Sequence, residues 1–474
     1  MKHFEKHFFI DTSVVLDSVE NIFALSENNK NMLWISDVVL KELNYHKDKG
    51  QETAFFARNF FRLLNGEGEN TIKEIEIPIE PSTSNLDWRG DKISVFECYS
   101  KEFNKTLTIG IIVRKEYINK NDINDLKILE IVNDYGFELV TNDMALKIMA
   151  LSNKLKASML KRDMVNSPED ICFKKEYFYS NKEKEIKKIS KNEKNFNQII
   201  LTEKQKNSNI EIETGKKDFY IKINNLLEPL ISDENLKKMI VPPINLEQKF
   251  YVTMLQHSSL KIMVVTGSTG SGKTLLALQE GMRRVKDKNS PINGIVYLRN
   301  TVTANDKIAE LGYRKGDEQQ KLSYFGYPLF GNINFIIEKK LQKGGKSLEE
   351  IKKAKNSFVY KDALTEEFMN EYNIQMMDIA HARGITITNK WIIFDELQNA
   401  TKSTLKLIGT RVGEGSVLIC MGDFKQVDHP YLSKNRNALV SLLEIAKKDN
   451  NIAAIQLRKT VRSNIANWFQ EKFD

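Results

Sequence analysis

Three cysteines in 474 residues are too few and too scattered to build anything covalent. Cys98, Cys172 and Cys420 stand in no C-x-x-C pair. That excludes a disulfide framework and a zinc knuckle, and it suits a reducing cytosol. Long apolar runs are missing as well. The N-terminus passes Glu5 and two histidines into Phe8-Phe9-Ile10-Asp11, with no stretch suited to a signal peptide or a membrane-spanning helix. A cytoplasmic protein with no membrane partner is the expectation. Nor is charge of one sign overwhelming, for the formal net charge is +8. This lean favours nucleic acid, because phosphates neutralised by lysine release counterions, and it fits equally a composition biased to Lys and Asn throughout. The length and an apolar content of 41% allow two or three domains with real cores.

Against this background one stretch carries defined chemistry. Gly267-Ser268-Thr269-Gly270-Ser271-Gly272-Lys273-Thr274 has the spacing G-x-x-x-x-G-K-T. It follows the apolar run Ile262 to Val265 and leads into Leu275-Leu276-Ala277-Leu278. Strand, glycine loop and helix in that order make a phosphate-binding loop. The glycines let the backbone close on an anion, and successive N–H groups at the helix start face it. Lys273 adds a cation near the β- and γ-phosphates, and the Thr274 hydroxyl is a ligand for Mg²⁺. ATP with Mg²⁺ is the expected cofactor.

The first third of the chain reads as alternating strands and helices. His7 to Ile10 is a short strand ending at Asp11, and Trp34-Ile35 is a second, followed by a helix that carries Glu42. A helix near Ile123 has Asp125 in its first turn, and Phe137 to Val140 is a strand ending at Thr141-Asn142-Asp143. Residues 66–120 are broken by Gly66, Gly68, Pro78, Pro81 and Gly90 and read as irregular. In an open parallel sheet such acids converge on the edge where ligands bind. Four carboxylates in one cleft repel unless cations sit among them, which points to a hard-metal site for Mg²⁺ or Mn²⁺. Two such ions about 3.5–4 Å apart activate water and steady the leaving oxygen of a phosphodiester.

The motifs around these acids resemble those of PIN-domain nucleases: Phe9-Ile10-Asp11-Thr12-Ser13, Val39-Leu40-Lys41-Glu42-Leu43, Asn124-Asp125-Leu126-Lys127-Ile128-Leu129 and Leu139-Val140-Thr141-Asn142-Asp143. The resemblance spans 5–165 and implies that Asp11, Glu42, Asp125 and Asp143 hold the ions. It also implies that Thr141 or Asn142 supports them, with Asp122 as a substitute ligand. Residues 166–240 then change character. Lys, Asn and Glu dominate, and the stretch reads as a solvated linker. Ile210 to Ile223 alternates apolar and polar, and Thr214-Gly215 at its centre makes a β-hairpin the expectation there.

From 241 to the end the reading is a nucleotide-hydrolysing α/β domain. Gln248 has an amide suited to an adenine edge. Gly294 to Leu298 is a strand ending at Arg299, and Trp391-Ile392-Ile393-Phe394 is another, ending at Asp395-Glu396. Asp395 would hold Mg²⁺, and Glu396 would polarise the attacking water. Val417 to Met421 ends at Gly422-Asp423, with Gln426 three residues on, placed to sense the γ-phosphate or orient the water. Strands ending in polar residues and joined by helices make a parallel sheet of the RecA type.

The stretches Asp306-Lys307-Ile308-Ala309-Glu310-Leu311-Gly312, Arg383-Gly384, Ile393 to Asn399, Thr410 to Gly415 and Gly422 to Leu432 extend the match. With Gln248 and the loop, they resemble the PhoH family of ATPases. The resemblance implies an α/β chain in which a PIN-type domain, a variable linker with a short β segment and a RecA-like P-loop domain follow one another. It implies ATP-driven movement on RNA, coupled to cleavage, by a hexameric ring in which a neighbour supplies a trans-acting arginine. Arg411, Arg462 and Arg299 are the candidates, and the residues do not choose among them. Three functions stay open at this point. They are a helicase–ribonuclease acting on single-stranded RNA, an ATP-gated RNA-binding assembly with an inactive cleft, and a motor or nuclease directed to DNA.

Overall fold

The computed structural model describes residues 3–48, 52–77, 90–118, 123–160, 165, 167–207, 210–299, 326–345, 358–377, 379, 382, 384–429, 432–460, 465, 468 and 472. The chain divides into two compact units, Met1–Arg162 and Asp163–Asp474. The four acidic motifs fall in the first unit and the phosphate loop in the second.

The first unit is built on a seven-stranded sheet. Its strands are β1 (His7–Ile10), β2 (Met32–Ser36), β3 (Thr71–Glu74), β4 (Lys92–Ser100), β5 (Lys105–Val113), β6 (Glu138–Val140) and β7 (Ala157–Ser158). They lie in the order β3-β4-β5-β2-β1-β6-β7. The strands from β5 to β7 run parallel, and β3 and β4 add an antiparallel edge. The helices are α1 (Thr12–Asp17), α2 (Val19–Ser26), α3 (Asp37–Lys47), α4 (Glu52–Leu64), α5 (Asn124–Tyr135) and α6 (Met144–Ser152). Strands β1 and β2 read as unbroken apolar runs because both of their faces are covered: Phe9, Ile10, Leu33, Trp34 and Ile35 are all fully buried. The irregular reading of residues 66–120 is corrected here. Lys92–Ser100 and Lys105–Val113 pair along their whole length, with Asn104 at φ 49° in the tight connection. The glycines and prolines that make the region read as irregular all precede Lys92 and lie outside both strands.

The second unit contains two sheets. One is six-stranded and parallel, in the order β14-β13-β15-β16-β12-β17. Its members are β12 (Ile262–Gly267), β13 (Gly294–Arg299), β14 (Ile374–Met377), β15 (Lys390–Asp395), β16 (Val417–Gly422) and β17 (Ile452–Leu457). Its helices include α9 (Leu246–Gln256), α10 (Lys273–Lys286), α11 (Tyr327–Lys343), α12 (Phe358–Glu371), α13 (Lys402–Gly409) and α14 (Ala438–Ala446). One core packs α9, α10 and α11 on one face of the sheet, and a second packs α14 on the other, the two-sided cover a parallel sheet needs.

The other sheet lies where the sequence reads as a linker. Strands β8 (Lys174–Tyr179), β9 (Gln198–Asn207), β10 (Ile210–Ile223) and β11 (Leu226–Pro229) lie in the order β11-β10-β9-β8. Helices α7 (Lys182–Asn192) and α8 (Asp233–Lys238) accompany them. A small cluster of Tyr179, Ile189, Ile199 and Leu201 fixes α7 to one face. The expected hairpin is displaced: β10 turns back on β9 between Asn207 and Ile210, and Thr214-Gly215 sits inside β10, within an irregular stretch of the pairing between Glu213 and Lys217. Few apolar residues suffice because Tyr179, Ile199 and Leu201 lie at strand positions facing α7 and Ile200 and Ile221 at positions facing the ATPase core, which average composition does not reveal.

Candidate active sites

In the first unit, parallel strands β2, β1 and β6 are neighbours, so their carboxyl ends share one edge. Asp11 follows β1 and caps α1. Its Oδ2 accepts from Ser13 Oγ at 2.6 Å and Thr141 Oγ1 at 2.8 Å. Burial raises its proton affinity, while Ser13 and Thr141 oppose that. Glu42, on α3, accepts from the Thr12 hydroxyl and from Asn124 Nδ2, the latter at 2.8 Å. Its carboxyl is pushed up by burial and then by Asp11 and Asp125, against the pull of its two hydrogen bonds. Asp125 is pushed up by burial, Asp143 and Asp11. Asp143 caps α6 through Ala145 N at 2.7 Å and Leu146 N at 3.2 Å.

Glu42 therefore feels the charge of Asp11 and Asp125, and Asp125 that of Asp143 and Asp11. Asp122 lies outside the described residues. Thr141 supports Asp11 directly, whereas Asn142 donates its backbone N–H to Ser13 Oγ at 2.9 Å. The Asn142 Oδ1 is buried without a hydrogen-bond partner among the described residues. Thr12, Ser13 and Asn124 are the members that residue-by-residue reading missed, although each stands inside a quoted motif. Like-charged oxygen donors that disfavour one another's ionisation suit a hard divalent cation, which removes that repulsion. Among the described residues no three His, Cys, Asp or Glu form a ready-made metal cluster. The set thus fits such an ion in charge and donor type without being a closed cage.

The second site forms at the carboxyl end of β12, between β16 and β17. Gly272 opens α10 at φ 89°, and a Cβ there would stand 2.9 Å from Gln248 Nε2. Gln248 is buried and committed to the loop: Nε2 donates to Ser271 O at 2.9 Å, and Oε1 accepts from Ile244 N at 2.9 Å. Gln248 thus props the loop, and its amide keeps a second N–H and a second lone pair for an adenine edge. Tyr251 adds a second prop, donating to Lys273 O at 3.1 Å. Lys273 Nζ donates to the carbonyls of Gly267 and Ser268, the latter at 3.1 Å, which parks the cation against the loop. Gly270 also has positive φ, and Ser271 is fully buried with no hydrogen-bond partner for its Oγ among the described residues.

Asp395 ends β15 beside this loop. Its Oδ2 accepts from Thr274 Oγ1 at 3.3 Å and from Tyr297 OH at 2.8 Å. Glu396 follows in the left-handed region, φ 55°, a costly conformation for a side chain with a Cβ. Burial and then Asp395 push its carboxyl up, while Gln398, Arg299 and Lys273 pull it down. Gln398, fully buried, donates to Glu396 Oε2 at 2.6 Å and Gln426 O at 3.0 Å and accepts from Asp423 N at 3.1 Å. Gln426 Oε1 accepts from Thr269 Oγ1 at 3.2 Å, which ties it to the loop. Arg299 stands 3.6 Å from Glu396 within the same chain. Arg411 has a buried Nε without a partner among the described residues. Arg462, Arg383 and residues 306–317 lie outside the described residues.

Residues 239–474 match the family described as PhoH-like protein, and residues 8–161 match the PIN domain. A protein called PhoH2 from Bacillus subtilis is 26% identical over 482 residues, covering 97% of this chain and 98% of its own length. A PhoH-like protein from Synechocystis is 28% identical over 224 residues, 47% of this chain and 58% of its own length. Another from Bacillus subtilis is 27% identical over 227 residues, 48% of this chain and 61% of its own length. The chain spans about three fifths of those two shorter matches and nearly all of the first.

Proposed function

Because the chain carries a PIN domain at its N-terminus and a PhoH-like domain at its C-terminus, we propose that it couples ATP hydrolysis to metal-dependent cleavage of single-stranded RNA. The observation that carries this reading is the joining of Thr274, Asp395, Glu396 and Gln426 to one phosphate loop, in a chain that also gathers four like-charged carboxylates. Phosphates seated on the loop would draw Lys273 from the carbonyls it now contacts. Thr274 and Asp395 would hold Mg²⁺, which screens phosphate charge. Glu396 accepts a proton from the attacking water, and Gln398 fixes its Oε2 for that task. Arg411 or Arg462 is offered to a neighbouring subunit of a hexameric ring. Arg299 already faces Glu396 within its own chain.

At the other site Asp11, Glu42, Asp125 and Asp143 would hold Mg²⁺ or Mn²⁺, which supplies a nucleophilic water at neutral pH. Thr12, Ser13 and Thr141 keep Asp11 and Glu42 oriented. The open arrangement of the carboxylates favours one alternative, an ATP-gated RNA-binding assembly that does not cut.

Substituting Lys273→Ala separates the activities. ATP turnover should fall at least about 100-fold, the scale of losing one preorganised transition-state charge. Cleavage of unstructured, labelled RNA with Mn²⁺ should persist in that variant. Retained ATP turnover, or loss of both activities in a folded variant, would contradict the proposal.

A further inference from the structure

The segment that carries β8, α7, β9 and β10 is more basic than the rest of the chain, with most of the excess on α7. Residues 174–223 hold thirteen lysines against eight aspartates and glutamates, an excess of five within a chain whose net charge is +8. One face of the sheet β8–β11 is closed by α7. The other packs on the ATPase core through part of its length. Ile200 and Ile221 enter that core, Gln198 Nε2 donates to Ala454 O at 2.9 Å, and Phe219 meets Phe250 edge to face at 6.3 Å.

Farther along the strands the same face has no such cover among the described residues. Register places Phe178 beside Thr202 and Lys217 on its other side, and strand alternation adds Glu176 and Lys204 to that face. Phe178 is 42% exposed, and Lys204 Nζ stands 4.0 Å from its ring centroid. Glu176 already accepts from Lys217 Nζ at 3.0 Å and from Thr202 Oγ1 at 3.0 Å, so its charge is answered locally.

A phenylalanine held open to water among lysines offers a π-face for a base and ammonium groups for the flanking phosphates. Duplex bases are already stacked and present no free face, so the chemistry selects an unpaired strand. One ring amid ammonium groups is too small an apolar area for a stable protein interface. We propose that this face is a docking platform for single-stranded RNA, in which a base takes the place of the Lys204 ammonium over the Phe178 ring and Lys204 contacts the backbone beside it. The proposal rests on the RNA reading above. It also gives the ATPase unit a nucleic-acid contact apart from the nucleotide site.

Helix α7 supplies a control. Lys184, Lys187, Lys188 and Lys191 form an exposed stripe at i, i+3, i+4 and i+7 on the covered side of the sheet, with no aromatic among them. The full chain is titrated in EDTA, where metal-dependent cutting cannot occur, against fluorescein-labelled 20-nucleotide oligo(U) over a range of salt. Phe178→Ala should weaken binding about tenfold with the salt slope unchanged, because stacking is not ionic. Lys204→Glu should weaken binding and lower the slope of log K against log salt by about 0.7, one phosphate contact on a single strand. Lys187→Glu with Lys191→Glu should stay within about twofold of wild type, since exposed charges outside the contact are screened. A blunt RNA duplex should bind less tightly than oligo(U). ATP turnover without RNA should match wild type in every variant, reporting intact folding. Wild-type binding by Phe178→Ala, an equal loss in the α7 variant, or tighter binding to duplex would overturn the platform. Failure of the wild-type chain to bind oligo(U) would overturn the RNA reading as well.

Discussion

At the scale of single residues, function is held by side chains that do no chemistry themselves. Glu396 adopts φ 55° because Gln398 anchors its carboxylate and Asp395 Oδ1 accepts its backbone N–H at 3.0 Å. Asp395 and Glu396 are legible in sequence as acids at a strand end. Gln398 is not, since a glutamine two residues past an acid pair has no periodicity or charge to mark it until three partners converge on it in space. Gln248 shows the converse. Its amide suits an adenine, and the structure adds a second task legible only in space, the bonds that hold the loop and Ile244.

His429 carries a pH prediction. It follows the Gln426 segment, and its N–H donates to Asn399 Oδ1 at 3.3 Å. Burial, and then Arg436, push its imidazole down to about 4 from an ordinary 6.5. The unfolded chain therefore binds a proton that the folded chain refuses between those values. Stability from this group is fully present above pH 6.5 and is lost as pH falls toward 4. The loss should approach about 2–3 kcal/mol, after a discount for partial exposure. Thermal melts of His429→Gln should show a shallower fall in Tm between pH 7.5 and 4.5 than wild type, and parallel falls would contradict the assignment.

At the scale of elements, α10 joins nucleotide site and core. Its first turn carries Lys273 and Thr274. Farther along, Trp391 of β15 donates its indole N–H to Ala277 O at 3.0 Å, and a Cβ on Gly281 would stand 2.5 Å from the Trp391 ring. Gly281→Val should force helix and strand apart, cost about 1–3 kcal/mol by overpacking, and weaken ATP binding through the displaced loop. Calorimetric melting with nucleotide titration checks this, and an unchanged Tm would refute the close packing. Strands such as β1, β12, β15 and β16 were legible because each is an apolar run ended by a functional polar residue. The hairpin β4–β5 and the sheet β8–β11 were not. The hairpin follows a run of glycine and proline breakers that makes its whole region read as irregular, and the strands of β8–β11 carry many charged residues, so that their apolar positions acquire meaning only when register assigns them a face.

At the scale of the whole molecule, two compact units each carry their own chemistry, and both were legible as motif order along the chain. What sequence could not supply was the state of the acids. Asp11, Glu42 and Asp125 are raised by burial, and Glu42 and Asp125 also by neighbouring carboxylates, which makes the ionised set costly until a cation joins it. The central claim is that this set cuts RNA. Labelled single-stranded RNA and matching DNA are incubated with wild type and with Asp11→Asn, with Mg²⁺ or Mn²⁺ and with or without ATP. The account predicts metal-dependent cleavage of the RNA by wild type and a loss of at least about 100-fold in Asp11→Asn, the scale of removing one preorganised charge from a reacting site. Equal product from the two proteins would contradict it.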